Sequence, residues 1–94
     1  MGNPHDPPRA FDPNTFPCKV YVKVLGAQTI RFEALVQGIV SRHVGAADLH
    51  SVSRRSSGKG RYLALTFTMT ARSREQLDRL YHELSENKSV LVAL

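Results

Sequence analysis

The chain is 94 residues long, 41% hydrophobic and 22% charged, with a formal net charge of +5. That length allows one small domain, and its apolar runs are too short to cross a membrane as a helix. The single cysteine, Cys18, excludes an intramolecular disulfide and fits a reducing cytoplasm.

All five prolines fall in the opening MGNPHDPPRAFDPNTFP. The segment has no apolar stretch of a secretory signal, and Asp6 stands where myristoylation wants a hydroxyl residue. Residues 1–15 are therefore expected to be a disordered, Pro-rich lead-in, and 16–94 the folded domain.

CKVYVKVLG, residues 18–26, alternates: Cys18, Val20, Val22 and Val24 on one side, Lys19, Tyr21, Lys23 and Leu25 on the other. Period two with β-branched residues predicts a half-buried strand, ended by Gly26. Thr29 then suits the N-cap of a helix whose stripe is Phe32, Leu35, Val36, Ile39 and Val40. Arg42 and His43 fall in its last turn, where cations suit the dipole, and Gly45 fits a C′ position. Gly38 inside it costs up to about 1 kcal/mol against alanine, which a close helix–sheet approach would explain.

LHSVSRRSS, residues 49–57, reads as a weak edge strand whose arginines discourage edge-to-edge pairing. GKG turns the chain, and RYLALTFTMT, 61–70, is the clearest strand: Leu63, Leu65, Phe67 and Met69 oppose Tyr62, Ala64, Thr66, Thr68 and Thr70. SREQLDRLYHEL, 73–84, opens with a Ser73…Gln76 capping-box pattern and carries Leu77, Leu80, Tyr81 and Leu84 on one stripe. SVLVAL, 89–94, is a last strand.

The order β-α-β-β-α-β with right-handed crossovers predicts an α+β, ferredoxin-like fold: a four-stranded antiparallel sheet with both helices on one face. The other face is then uncovered, presenting Lys19, Tyr21, Lys23, Leu25, Tyr62, Ala64, Thr66 and Thr68.

Chemistry-bearing patterns are sparse. His5, His43, His50 and His82 lie at no metal-ligand spacing, and one cysteine completes no zinc site. Cys18 alternates with core valines and reads as a small hydrophobe; Glu33, Glu75, Glu83 and Glu86 read as solvated helix positions. No metal, cofactor or catalytic pair is expected, hence no enzyme. From Leu49 to Arg74 there are six basic residues and no acidic one. Arg54, Arg55, Lys59 and Arg61 gather about the GKG turn: either a solvated positive edge or a surface for an anion or partner, shared with Tyr21, Lys23 and Tyr62. Gly58-Lys59-Gly60 joins two strands and lacks the order of a P-loop; a hairpin needing positive φ explains both glycines. The third-strand pattern of RNA-recognition domains is half met by KGRYLALT, 59–66: Lys59-Gly60 fits, but Arg61 and Leu63 replace stacking aromatics.

From Phe16 to Leu94 the chain resembles the bacterial YbeD family of small uncharacterised proteins. The resemblance is carried by FPCKVYVKVLG, IVSRH, SSGKGRYLALTFTMTA and LDRLYHEL, in order and without large gaps, although the GKG turn is longer than usual. It implies a fold similar to the ACT regulatory domains, a regulatory link to lipoate metabolism, and no transferable catalytic residue. It also implies a ligand site at the first strand–helix turn, here Gly26, Ala27, Gln28 and Thr29, whose plain alternative is a turn plus a cap. The functional expectation is a regulatory module that binds a small-molecule ligand, a protein partner or a second copy; the alternative is RNA binding through the open face and basic hairpin.

Overall fold

The computed structural model describes residues 15–94. The expected disordered lead-in falls, but for Thr15, outside them. In chain order the elements are β1 (Cys18–Ala27), α1 (Ile30–His43), a short 3₁₀ turn (Ala46–Asp48), β2 (Leu49–Ser57), β3 (Tyr62–Ala71), α2 (Arg74–Glu86) and β4 (Val90–Ala93). The sheet order is β2-β3-β1-β4, with every neighbouring pair antiparallel. This is the ferredoxin-like arrangement that the element order predicts.

Alternation sorts the sheet into two faces. Val20, Val22 and Val24 of β1 and Leu63, Leu65, Phe67 and Met69 of β3 are buried under the helices. They meet Phe32, Val36, Ile39 and Val40 of α1 and Leu77, Leu80 and Leu84 of α2 in one core. Cys18 and Leu35 are half-buried and pack at its margin. Burying these aliphatic and aromatic side chains is the main favourable term in folding. The open face is the opposite set of β1 and β3 residues.

Both helix starts are capped by hydroxyls. Thr29 Oγ1 accepts from the Phe32 N–H (3.0 Å), and Ser73 Oγ from the Gln76 N–H (3.1 Å). The second half of the capping box is not made. Gln76 Oε1 accepts from the Arg72 N–H, and its Nε2 donates to the His43 carbonyl, tying α2 to the end of α1.

Three glycines behave differently from the sequence expectation. Gly26 does not end β1 but lies within it, where the pairing with β4 shifts register. Gly45 does stand at C′, one residue past the Val44 cap, but it is not left-handed there: its φ is −64°, and it leads into the 3₁₀ turn. Gly38 marks no close helix–sheet approach, because a Cβ there would meet only Arg42 Nη1, at 3.9 Å. Gly38→Ala should therefore raise stability by up to about 1 kcal/mol, the helix-propensity difference, read as a higher urea midpoint at unchanged slope.

The β2–β3 connection answers the question of the GKG turn in backbone terms. Gly58, Lys59 and Gly60 all have positive φ, of 60°, 59° and 86°. Left-handed conformation costs an L-residue roughly 1–2 kcal/mol, against about 0.5–1 kcal/mol of extra chain entropy for glycine. Lys59→Gly is thus expected to stabilise the fold by a few tenths to about 1 kcal/mol, measured in the same denaturation series. A Cβ on Gly58 would stand 2.8 Å from the Tyr62 ring, so that ring lies against the turn.

Candidate functional site: the uncovered sheet face

Strand register fixes what shares the open face. Tyr21 pairs with Thr68, Lys23 with Thr66, Leu25 with Ala64 and Ala27 with Tyr62; across β3, those rows continue to Ser51, Ser53, Arg55 and Ser57 of β2. On the other side Leu25 pairs with Val92, and Lys23 exchanges backbone hydrogen bonds with Leu94 (3.0 and 2.8 Å). Side chains two residues apart on a strand share a face, so Lys23, Leu25, Arg55, Ser57, Ala64, Val92 and Leu94 converge. They line a groove of about 520 Å³ with an aliphatic floor and two cations on its rim. Val92 and Leu94 are 42% and 69% exposed there.

The adjacent arginines of β2 part company for the same reason of parity. Arg55 looks onto the open face. Arg54 lies on the helix side, where its guanidinium meets Glu33 of α1 at 3.0 Å. Glu33 is thereby engaged rather than merely solvated. Arg72 and Arg74, the other cations of the acid-free run, pair with Asp48 (2.7 Å) and Asp78 (3.8 Å). Among the described residues, Arg55, Lys59 and Arg61 have no carboxylate within 4 Å, so the charge cluster is narrower than the sequence suggests.

The two helices are tied to each other by charge. Arg42 and His43, at the end of α1, both bind Glu83 of α2, with His43 Nε2 2.7 Å from Glu83 Oε1. His43 is therefore a clamp between helices rather than a simple helix-end cation. Burial, then the charges of Arg42 and Arg79, hold its ring below the usual imidazole value. The Arg72 guanidinium, hydrogen-bonded to Asp48, holds that carboxyl below the usual range. A second groove, of about 470 Å³, lies between α2 and β4, with Asp78 and His82 on its lining.

The strand–helix turn and the basic hairpin form one neighbourhood. The Gln28 N–H donates to the Arg61 carbonyl (3.0 Å), and the Thr29 N–H to the Ala27 carbonyl (2.9 Å). Two of the turn's donors are thus spent within the protein, while Thr29 Oγ1 caps the helix. Gly26 meets a packing need: a Cβ would lie 2.2 Å from the Phe32 ring.

The two exposed tyrosines do not form one platform. Tyr21 and Tyr62 lie six rows apart in the register, about 20 Å at 3.3 Å per residue. Lys19 Nζ sits 5.8 Å above the Tyr21 ring, and Tyr62 leans on Gly58. Sequence reasoning had placed both on this face, but it missed Val92 and Leu94. Their parity is legible from alternation; the bulge that sets their register against β1 is not.

No group of three His, Cys, Asp or Glu residues is arranged to hold a metal ion among the described residues. No described helix is long and apolar enough to cross a membrane.

A family model described as a protein of unknown function, DUF493, matches residues 12–94. The chain belongs to the DUF493 family. This DUF493 protein is 40% identical over 89 residues to the UPF0250 protein of Leptothrix cholodnii, covering 95% of this chain and 98% of that one. It is 37% identical over 79 residues to a UPF0250 protein of Neisseria meningitidis serogroup C, covering 84% and 87%. These are the YbeD-like proteins that residues 16–94 resemble. Among solved structures, its fold is similar to protein HP0495 of H. pylori, with TM-score 0.69, 12% identity and coverage of 100% and 94%. It is also similar to the ACT domain of the GTP pyrophosphokinase of Chlorobium tepidum, with TM-score 0.66, 9% identity and coverage of 81% and 94%. At such identities the likeness is one of fold: the DUF493 chain has an ACT-like, ferredoxin-like architecture.

Proposed function

We propose that this DUF493 protein is a non-catalytic regulatory module that works by binding, through the uncovered face of its sheet. One observation carries this. The helices are committed to the core along one face, and their acidic side chains, Glu75 apart, are paired, whereas the open face holds an aliphatic groove with Lys23 and Arg55 beside it and no ion pair for either among the described residues. The ACT-like fold supports regulation rather than turnover. The link to lipoate metabolism implied by the family resemblance belongs to this proposal and makes lipoate and octanoate early titrants. RNA binding, the alternative, has the cationic face in its favour, but the separation of Tyr21 from Tyr62 weighs against stacked bases. The Gly26–Thr29 turn is a secondary ligand position whose remaining donors are the Ile30 and Arg31 amides at the start of α1.

The test is an amide-shift screen of the labelled protein against amino acids, lipoate, octanoate, nucleotides and oligouridylate, with sedimentation velocity in parallel. Saturable shifts along β1, β3 and β4 residues of the open face are the expected result. Shifts confined to α1 and α2 would overturn the assignment of the face.

A further inference from the structure

Resting on the binding-module reading above, we propose that the occupant of the open-face groove is an acidic segment of a partner protein, anchored by an aliphatic side chain. Charge is the first ground. The carboxylate side chains among the described residues are Glu33, Asp48, Glu75, Asp78, Glu83 and Glu86, every one in a helix or the 3₁₀ turn. All but Glu75 are already engaged, with Arg54, Arg72, Arg74, Arg42 and His43, or His82. The open face carries Lys19, Lys23 and Arg55, with Lys59 and Arg61 in the hairpin beyond it, and no carboxylate side chain among its described residues. The described residues leave these cations without a carboxylate, and an acidic partner would supply the complementarity.

The groove floor is the second ground. Leu25, Ala64, Val92 and Leu94 form an aliphatic strip beside the cations, running from β3 across β1 to the β4 edge. A purely ionic partner would leave that strip wet; an aliphatic side chain flanked by carboxylates satisfies both.

Other occupants fit less well. A second copy laid face to face would oppose Lys19, Lys23 and Arg55 with the same cations and bring no countercharge. A nucleic acid would find charge but no stacking platform in the groove, because its floor is aliphatic and the tyrosines flank it about 20 Å apart.

The experiment uses the full chain and a fluorescein-labelled synthetic peptide in which a central leucine pair is flanked on both sides by glutamates. Controls are an all-glutamate peptide and oligouridylate, all read by fluorescence anisotropy near physiological salt. The leucine–glutamate peptide should saturate and bind tighter than either control. Lys23→Glu with Arg55→Glu should weaken it by roughly tenfold or more, because close charge pairs are reversed. Val92→Asp should weaken it too, while Arg74→Glu on the helix layer should not. These positions are exposed, and a dispersed amide spectrum of each variant establishes that it is folded. Three results would overturn the proposal: tighter binding of oligouridylate, binding indifferent to the double reversal, or no saturation. If the peptide fails but a small titrant shifts open-face amides, the peptide occupant falls and the binding module stands. Silence of the face toward every titrant sinks both.

Discussion

Gly26→Ala should be among the most damaging single-methyl additions in this protein, lowering stability by about 3 kcal/mol, the upper part of the usual overpacking range. The ideal Cβ would lie 2.2, 2.5 and 2.6 Å from three atoms of the Phe32 ring. That ring is 2% exposed and sits in the first turn of α1. It cannot swing toward solvent without opening the core, and interiors at crystal-like packing density have little slack. The backbone at Gly26 is where β1 pairs with β4 through a register shift, so the strand is also held against retreat. Gly45→Ala is the internal comparison: nothing lies within 4 Å of its Cβ position, and its φ of −64° suits any residue. That variant should lie within about 0.5 kcal/mol of the parent, or slightly above it. Urea denaturation of the two side by side decides the matter. Equal midpoints would mean that Phe32 does not hold the position described.

Phe67→Ala should cost about 3–5 kcal/mol, the range for truncating a buried aromatic with partial collapse of its cavity. Phe67 is 0% exposed and pairs with Val22 on one side and Val52 on the other, in the middle of the three longer strands. Its opposite on the other face is Tyr21, 63% exposed in the row beside it. Tyr21→Ala should change stability by no more than about 0.5 kcal/mol, apart from a weak contact with Lys19. One face of the sheet packs the core, and the other is left largely uncovered, which is why recognition is proposed for its Lys23, Leu25, Arg55 and Val92. A Tyr21→Ala loss as large as that of Phe67→Ala would mean that the open face is covered in the folded protein.

Much of this was legible in the residues. Period-two alternation in KVYVKVL and LALTFTM gave β1 and β3 and sorted their faces, because a pleated strand cannot present neighbours to the same side. Thr29 and Ser73 announced both helix starts, since a hydroxyl at that position satisfies an otherwise orphan amide. The positive-φ hairpin followed from two glycines around one lysine. What was not legible depends on distant partners. Glu33 reaches Arg54 across twenty-one positions, and Glu83 gathers Arg42 and His43 across forty or so. No local pattern encodes such pairs. Arg54 and Arg55 looked like one cluster because charge counting ignores parity; applying alternation to β2 separates them. Val92 and Leu94 escaped because β4 is only four residues long and its register rests on a bulge at Leu25 and Gly26. The role of Gly26 escaped because the space it leaves for Phe32 exists only after α1 packs.

The proposed working surface is the uncovered face of the sheet, which has no carboxylate side chain among its described residues. Its most direct test is an amide-shift map of the labelled chain at saturation with the leucine–glutamate peptide. The largest shifts should fall on Lys23, Leu25, Arg55, Ala64 and Val92, with α1 and α2 silent. A map in which the helices move and those five residues do not would contradict it.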